Sequence, residues 1–441
     1  MEKANGMVRG LKDLLEFGKL RQWVGGTPDA KAGDCRGGRA RKWVGTFAVA
    51  LALALATPSV SYSLPARGVT PVNNREYISV VRELVRNAQQ NLYFMLYQAR
   101  YYEEYPDTET NHLLRELIEA KLRGVDVKIV IDTGDWNPSN KNEYNLDFVD
   151  RMTTAGIEVW EDSTTEVSHE KVMLVDDNIT VVSSHNWTYY SIAKNNEVAV
   201  VVDSKPLNHF FREYFRQRCQ DGRPRHNVGE HSLESLAKPS PELAPSKVRL
   251  RTYPVVDVEP IPNRLFFPAV HTAFLNAKQS ITVVQRSLNM PDRPRLKPGE
   301  SALPGQPASE VNVLVEDLIS AHKRGLKVRV VLDQTEGFTD SANDAAAQYL
   351  RENGVEVLRE DLATQTHAKL VVIDDDKVVV GSTNWTQPAL EDGNEASVLI
   401  TSREVNKVYQ DYVHALLQNA APYQTVKRDI WAPTTAPNQR K

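Results

Sequence analysis

SHEKVMLVDDNITVVSSHNWT, from Ser168 to Thr188, and THAKLVVIDDDKVVVGSTNWT, from Thr366 to Thr386, are one pattern written twice. His169 matches His367, Lys171 matches Lys369, Asp176 matches Asp374 and Asn186 matches Asn384, all at one constant offset. Downstream, Glu197 matches Glu395 at that same offset. Upstream, RGVDVKIVID (Arg123 to Asp132) returns as RGLKVRVVLD (Arg324 to Asp333), and Ala88 and Ala277 mark matching helix ends. Self-similarity on this scale signals a duplicated structural unit. The second copy carries an extra stretch, PDRPRLKPGESALPGQP, from Pro291 to Pro307. A loop of that length in a compact domain is expected to serve as a lid or a substrate contact.

Both copies share one grammar. Apolar positions Tyr77, Val81, Leu84, Val85 and Ala88 predict a helix, and NLYFML (Asn91 to Leu96) a strand after it. A second helix around His112 to Leu122 stops at Gly124, a natural left-handed cap, and the β-branched run VKIVI follows as a strand. A helix around Tyr144 to Ala155, the strand IEVW, two strands carrying the repeated motif and a strand over EVAVVVD (Glu197 to Asp203) complete the unit. Strands alternating with helices predict an α/β protein with two tandem repeat domains, each a mixed β-sheet flanked by helices. The expected boundaries are an N-terminal extension over 1–63, a first repeat over 74–220, a linker over 221–254, a second repeat over 255–420 and a tail over 421–441.

Composition bounds the function. A chain of 441 residues exceeds what one core usually serves, and 41% hydrophobic with 25% charged residues excludes wholesale disorder, collagen and a multi-span membrane protein. Two cysteines, Cys35 and Cys219, exclude a disulfide framework, and no CxxC spacing suggests zinc or redox chemistry. Arg39, Arg41 and Lys42 precede an uncharged run from Val44 to Ala56, shorter than the ~20 residues that span a bilayer. A secretory signal, or an uncleaved anchor, is expected there, and with it export to a periplasmic or extracellular space. Ten Lys/Arg and five Asp/Glu lie before residue 64, so the remainder holds 43 basic and 52 acidic residues and a formal charge of −9.

Alternate residues of a strand face one way, so His169 and Lys171, like His367 and Lys369, are expected to enter a common site. The following strands deliver Ser184 and Asn186, or Ser382 and Asn384, toward the same edge. Two imidazoles can divide labour between nucleophile or base and general acid. Two ammonium groups and two amides can neutralise oxygens that gain negative charge, and phosphoryl oxygens fit best. No carboxylate or thiolate cluster stands in a metal-binding arrangement, so catalysis with no metal and no cofactor is expected.

The pattern HxKxxxxD followed by GSxN resembles the HKD signature of the phospholipase D superfamily, here His169, Lys171, Asp176 and His367, Lys369, Asp374. The resemblance spans Asn74 to Leu417 and implies two pseudo-twofold-related domains sharing one active site. It implies His169 as nucleophile forming a phosphohistidine and His367 as general acid/base. It further implies Lys171, Lys369, Asn186 and Asn384 on the phosphate oxygens, and Glu197 and Glu395 orienting the imidazoles. Asp176 and Asp374, on the opposite strand parity, are expected to be structural and salt-bridged. The first copy departs from the pattern: Ser183 replaces Gly381, where a Cβ could crowd the backbone, and His185 replaces Thr383 and reads as a polar loop residue. Trp187 and Trp385 are expected as core anchors, and the unrepeated His112, His209, His226, His231, His271, His322 and His414 as surface or core residues.

Export and acidity favour a phospholipid substrate at a membrane surface, hydrolysed or transphosphatidylated by a phosphoric diester hydrolase of the phospholipase D type. A nuclease is the second reading, with nucleic acid as alternative substrate and HKRGLKVR (His322 to Arg329) and RPRLK (Arg293 to Lys297) as its local basic patch. A cardiolipin synthase-type phosphatidyltransferase would bring two long apolar spans, and an inactive binding module would lack one of the paired His or Lys. Tyr93 and Phe94 are expected in the strand core, with Tyr97, Tyr101, Tyr102 and Tyr105 reaching solvent to meet lipid or bases. No obligate protein partner is expected, and a monomer suffices.

Overall fold

The computed structural model describes residues 63–134, 144–163, 165–226, 236, 251–255, 257–291, 309–335, 342–360 and 364–424. The signal-like segment 44–56, residues 292–307 with the basic RPRLK run, and most of the expected linker lie outside the described residues. Among the described residues no helix is long and apolar enough to cross a membrane.

The described chain forms two lobes of matching design. In the first, strands β1 (Gly68–Pro71), β2 (Asn91–Leu96), β3 (Asp126–Ile131), β4 (Glu158–Glu161), β5 (Lys171–Val175), β6 (Ile179–Ser183), β7 (Ala199–Asp203) and β8 (Arg223–Arg225) pair in the order β1-β7-β6-β5-β2-β3-β4-β8. Strands β2, β3 and β4 run parallel and the other neighbours antiparallel, so the sheet is mixed. Helices α1 (Glu76–Asn87), α2 (Glu109–Leu122), α3 (Tyr144–Thr154), α4 (Tyr189–Ala193) and α5 (Lys205–Asp221) flank it. The second lobe repeats the plan with β9 (Asp257–Pro260), β10 (Ser280–Gln285), β11 (Lys327–Leu332), β12 (Glu356–Arg359), β13 (Lys369–Ile373), β14 (Lys377–Gly381), β15 (Ser397–Thr401) and β16 (Ala421–Pro422). Its order, β16-β12-β11-β10-β13-β14-β15-β9, is the first sheet's read backwards. Helices α6 (Phe266–Asn276), α7 (Glu310–Lys323), α8 (Asp344–Glu352) and α9 (Arg403–Leu417) take the places of α1, α2, α3 and α5.

Period-2 alternation buries both faces of each sheet. Phe94, Ile129, Met173 and Val175 pack under α1–α3, and Val283, Val330, Val371 and Ile373 under α6–α8. The alternate residues, Val172, Leu174, Val200, Leu370, Val372 and Val398, join α5 and α9 in a third core shared by both lobes. Tyr409 on α9 ties the lobes by donating its hydroxyl to the Ala199 carbonyl at 2.9 Å.

Several boundaries differ from the sequence expectation, each for a local reason. Helix α2 starts at Glu109, because the Thr108 side chain caps the Asn111 N–H. β8 lies inside the expected linker and pairs with β4, while β16 and the buried Tyr423 take the start of the expected tail into the second sheet. His169 and Glu197 both precede their strands. There the chain leaves its own sheet to pair with the other lobe, through parallel bridges Ser168 to Asn394 and Asn196 to Thr366.

Candidate active site

These crossing bridges build the site. The His169 N–H donates to the Asn394 carbonyl at 2.8 Å, and the His367 N–H to the Asn196 carbonyl at 2.9 Å. Each histidine is thereby laid beside the glutamate of the opposite lobe. His169 Nδ1 lies 2.9 Å from both Glu395 carboxylate oxygens, and His367 Nδ1 lies 2.9 Å from Glu197 Oε2. The glutamates therefore orient the imidazoles crosswise, a pairing the repeat alone does not reveal. Ser184 and Ser382 donate to Glu197 and Glu395 at 2.5 Å each, and Ser191 also donates to Glu197. The two motif serines thus hold the glutamates instead of facing the cleft beside the asparagines.

Lys171 and Lys369 are buried, and their ammonium groups donate to the carbonyls of His169 and His367 at 2.5 and 2.6 Å. Lys369 Nζ also lies 3.1 Å from His367 Nε2. The carboxamide oxygens of Asn186 and Asn384 are buried without a hydrogen-bond partner among the described residues. The paired His, Lys and Glu side chains therefore belong to one centre drawn from both lobes.

Asp176 and Asp374 are structural, but not through salt bridges. Asp176 adopts a left-handed backbone, φ 46°, and its carboxylate accepts the N–H groups of Gln89, Gln90 and Asn91. Asp374, φ 50°, does the same for Lys278, Gln279 and Ser280. Three orphan donors at the start of β2 or β10 attract an anion more strongly than one solvated side-chain cation would. Each motif aspartate thus pins its hairpin to the central parallel strand.

His185 lies in the loop after β6, as its polarity suggested, but it does not reach solvent. It is fully buried, stacked on Tyr77 at 3.9 Å and bonded to Ser183, and burial lowers its pKa to about 4, so it is neutral. The Ser183 departure is compensated across the strand pair. A Cβ at Gly381 would collide with the Ser397 hydroxyl and with the Ala396 carbonyl oxygen, whereas Ser183 faces Ala199. Hydroxyl and bare strand have changed sides, and the half-site is intact. Trp187 and Trp385 are buried core residues, Trp187 donating to the Tyr77 hydroxyl at 3.1 Å. Tyr97 does not reach outward: its ring meets His169 edge-on at 4.6 Å, with Lys171 Nζ 4.7 Å from its centroid.

Other supporting residues escaped the motif reading. Asn74 and Asn263, both left-handed, accept the N–H groups of Glu197 and Glu395 at 2.8 Å. Their signal was the repeated Asn-Arg dipeptide, Asn74-Arg75 and Asn263-Arg264. Asp132 and Asp333 accept the N–H groups of Ser168 and Thr366, one residue before each histidine, and both close the repeated RG…D strings.

The electrostatics follow from burial. Desolvation, then the neighbouring ammonium groups, hold His169 and His367 well below the usual imidazole range. Burial brings Lys171 down to about 7 and Lys369 well below the usual amine range, against the pull of the glutamates. Burial raises the Glu395 carboxyl well above its usual range, opposed by Lys171 and Ser382. With Nδ1–H given to a carboxylate, a neutral imidazole keeps a lone pair on Nε2, and a protonated one carries a transferable proton there. The arrangement can attack an electrophile with one Nε2, move a proton with the other, and neutralise oxyanions between them. Among the described residues no three His, Cys, Asp or Glu side chains are grouped as metal ligands.

Paired mixed sheets with one doubled His–Lys–Glu centre define a duplicated, two-lobed α/β protein. The family model described as "Cardiolipin synthase, PLD-like domain" matches residues 81–219 and 299–417, and the chain belongs to this branch of the phospholipase D superfamily. It is 30% identical over 109 residues to a mitochondrial cardiolipin hydrolase of Xenopus tropicalis, covering 25% of this chain and 50% of that protein. It is 27% identical over 107 residues to a phospholipase D of Rickettsia bellii (strain RML369-C), covering 24% and 50%. The matches thus span half the length of these curated relatives. The crystal structure of phosphatidylserine synthase from Haemophilus influenzae Rd KW20 shares the fold, with a TM-score of 0.60 and 14% identity over 82% of this chain and 88% of that one.

Proposed function

We propose that the protein hydrolyses or transphosphatidylates phospholipids through a covalent phosphohistidine at His169. The observation that carries this reading is the crosswise wiring: the Glu395 carboxylate on His169 Nδ1 leaves Nε2 free to attack. Nε2 of neutral His169 forms a bond to phosphorus as the P–O bond to the headgroup alcohol breaks, and His367, entering the step as the imidazolium, gives its Nε2 proton to the departing oxygen. Water, or a competing alcohol, then attacks the phosphorus. His367 accepts its proton, and the P–N bond breaks to return neutral His169. Lys171, Lys369, Asn186 and Asn384 hold the non-bridging oxygens, whose charge grows in each transition state.

A lipid surface is favoured over nucleic acid by the acidic remainder of the chain and by an exposed aromatic patch. Tyr105 and Tyr190 are largely exposed, Tyr189 packs against Tyr102 and Tyr190, and Arg100 lies over Tyr102. Such amphipathic rings suit a membrane interface. We place the enzyme outside the cytoplasm, or anchored at a membrane, on the strength of the 44–56 segment. The test is a side-by-side assay on phosphatidylcholine, cardiolipin and single-stranded DNA with a primary alcohol present. Wild-type enzyme should yield phosphatidic acid and the transferred lipid, and His169→Ala should yield neither product nor trapped phosphoenzyme. Cleavage of DNA alone would overturn the lipid reading, and normal turnover by His169→Ala would overturn the mechanism.

A further inference from the structure

The pseudo-twofold is broken where β2 and β10 reach the centre. β2 and β10 end at Leu96 and Gln285, which pair with Lys171 and Lys369, and the next residues are Tyr97 and Arg286. Asn145 and Asn343 fix the two backbones alike, donating to the Tyr97 and Arg286 carbonyls at 2.9 Å. The side chains differ in kind. Tyr97 makes an aromatic wall on His169 and Lys171. Arg286 brings a guanidinium whose Nε is buried without a hydrogen-bond partner, and no carboxylate pairs with it among the described residues.

A guanidinium nitrogen buried without a partner is costly, and an anion that enters with the substrate removes the cost. The ammonium groups of Lys171 and Lys369 are already opposed by two carboxylates, so Arg286 is the uncompensated positive charge of the centre. The two non-bridging oxygens of one phosphodiester have the two lysines and two asparagines to bind them. Arg286 stands nearer the His367 side: its charge acts on His367 and Lys369 ahead of that of Lys171, and comes last among those acting on His169. If His169 attacks in line, the departing oxygen leaves on that same side.

We propose that Arg286 is a specificity-determining residue that binds a second anionic group on the leaving alcohol, so that the preferred substrate is a phosphodiester whose leaving group carries its own phosphate or carboxylate. This rests on the phosphodiesterase reading with His169 as nucleophile. The required chemistry has two sources, a lipid headgroup bearing an anion or the neighbouring phosphate of a polynucleotide. A choline headgroup, being cationic, would meet repulsion.

The test compares kcat/KM of wild type, Arg286→Gln and Arg286→Lys in mixed micelles of cardiolipin, phosphatidylserine or phosphatidylcholine, and on an oligothymidylate. Wild type should prefer the anionic-headgroup lipids over phosphatidylcholine. Arg286→Gln should cut that preference about 10- to 100-fold, mainly through KM, as expected for one lost charge-assisted hydrogen bond. Arg286→Lys, which keeps the charge and controls for folding, should retain most of the preference. A preference confined to the oligothymidylate and lost in Arg286→Gln would assign the second anion to nucleic acid. An unaltered headgroup preference in an active Arg286→Gln, or an equal loss on every substrate, would overturn the proposal while leaving the phosphodiesterase reading intact. Wild type inactive on every diester would overturn both.

Discussion

The crosswise carboxylates allow nucleophile and acid to be told apart by two isosteric substitutions. Glu395→Gln removes the charge facing His169 Nδ1, where both carboxylate oxygens lie at 2.9 Å. Losing a charge-assisted hydrogen bond of ~1.5–3 kcal/mol slows the step by roughly 10- to 150-fold. A second effect adds to it. Ser382 already donates to this carboxylate, so the amide keeps its oxygen on Ser382 and turns its NH2 toward Nδ1. Nδ1 then becomes the acceptor, the proton moves to Nε2, and the attacking lone pair is gone. A wrong-tautomer histidine of this kind has cost about 10⁴ in kcat where a triad aspartate became asparagine.

Glu197→Gln has the same effect on His367, 2.9 Å from Glu197, and so damages proton delivery to the leaving group. General acid catalysis contributes ~10²–10⁴. The assay is single-turnover phosphoenzyme formation with two substrates, a lipid with an alkoxide leaving group and a p-nitrophenyl phosphodiester whose phenolate departs unprotonated. Glu395→Gln should be slow with both, by about 10³–10⁴. Glu197→Gln should be slow with the lipid and within about tenfold of wild type with the p-nitrophenyl ester. The reverse pattern, rescue of Glu395→Gln by the good leaving group, would refute the assignment of His169 as nucleophile.

Three more tests address the electrostatics and packing. Burial brings Lys171 to about 7, so kcat/KM should fall about tenfold per pH unit above that value as the cation proposed to bind phosphate is lost; Lys171→Arg, which stays charged, should flatten that limb. Asp162 is buried against Asp132, and its carboxyl is raised to about 9 by burial and then by that neighbour. Because an acid with a raised folded pKa stabilises the fold most below its unfolded value and loses that contribution as pH climbs toward 9, Asp162→Asn should gain stability over wild type between pH 5 and 9, by about 1–3 kcal/mol in urea melts at pH 8. Gly381→Ser drives a Cβ into the Ser397 hydroxyl and the Ala396 carbonyl and should destabilise by about 1–3 kcal/mol, whereas adding Ser397→Ala removes the hydroxyl clash but not the backbone one and should recover only part of it; additivity in the double-mutant cycle would contradict the compensation.

How much of this was legible depended on how local the cause was. The strands of the motif, the paired histidines and lysines, and the matching lobes follow from period-2 patterning and an exact-offset repeat, which are local properties of the chain. The burial of the loop residue His185 was not legible because its stacking partner, Tyr77, is far away in sequence. The motif aspartates looked like ion-pair formers because a left-handed backbone at Asp176 and Asp374 cannot be read from strand parity. The contrast of Tyr97 with Arg286 was present in the letters, but the offset there differs from that of the motif, so it emerges only when β2 is laid on β10.

The crosswise pairing was hidden for a deeper reason, and it bears on how the centre works. His169 and Glu395 lie 226 positions apart, and His367 and Glu197 lie 170 apart. Each lobe therefore supplies a histidine whose tautomer is set by the other lobe. A lobe by itself would hold its imidazole without the carboxylate that frees Nε2, and its glutamate would be buried against serines with no histidine to orient. Chemistry and interface are in this way one structure: loosening the bridges at Ser168 and Thr366 would misalign both proton-handling groups together, before any motif residue is altered.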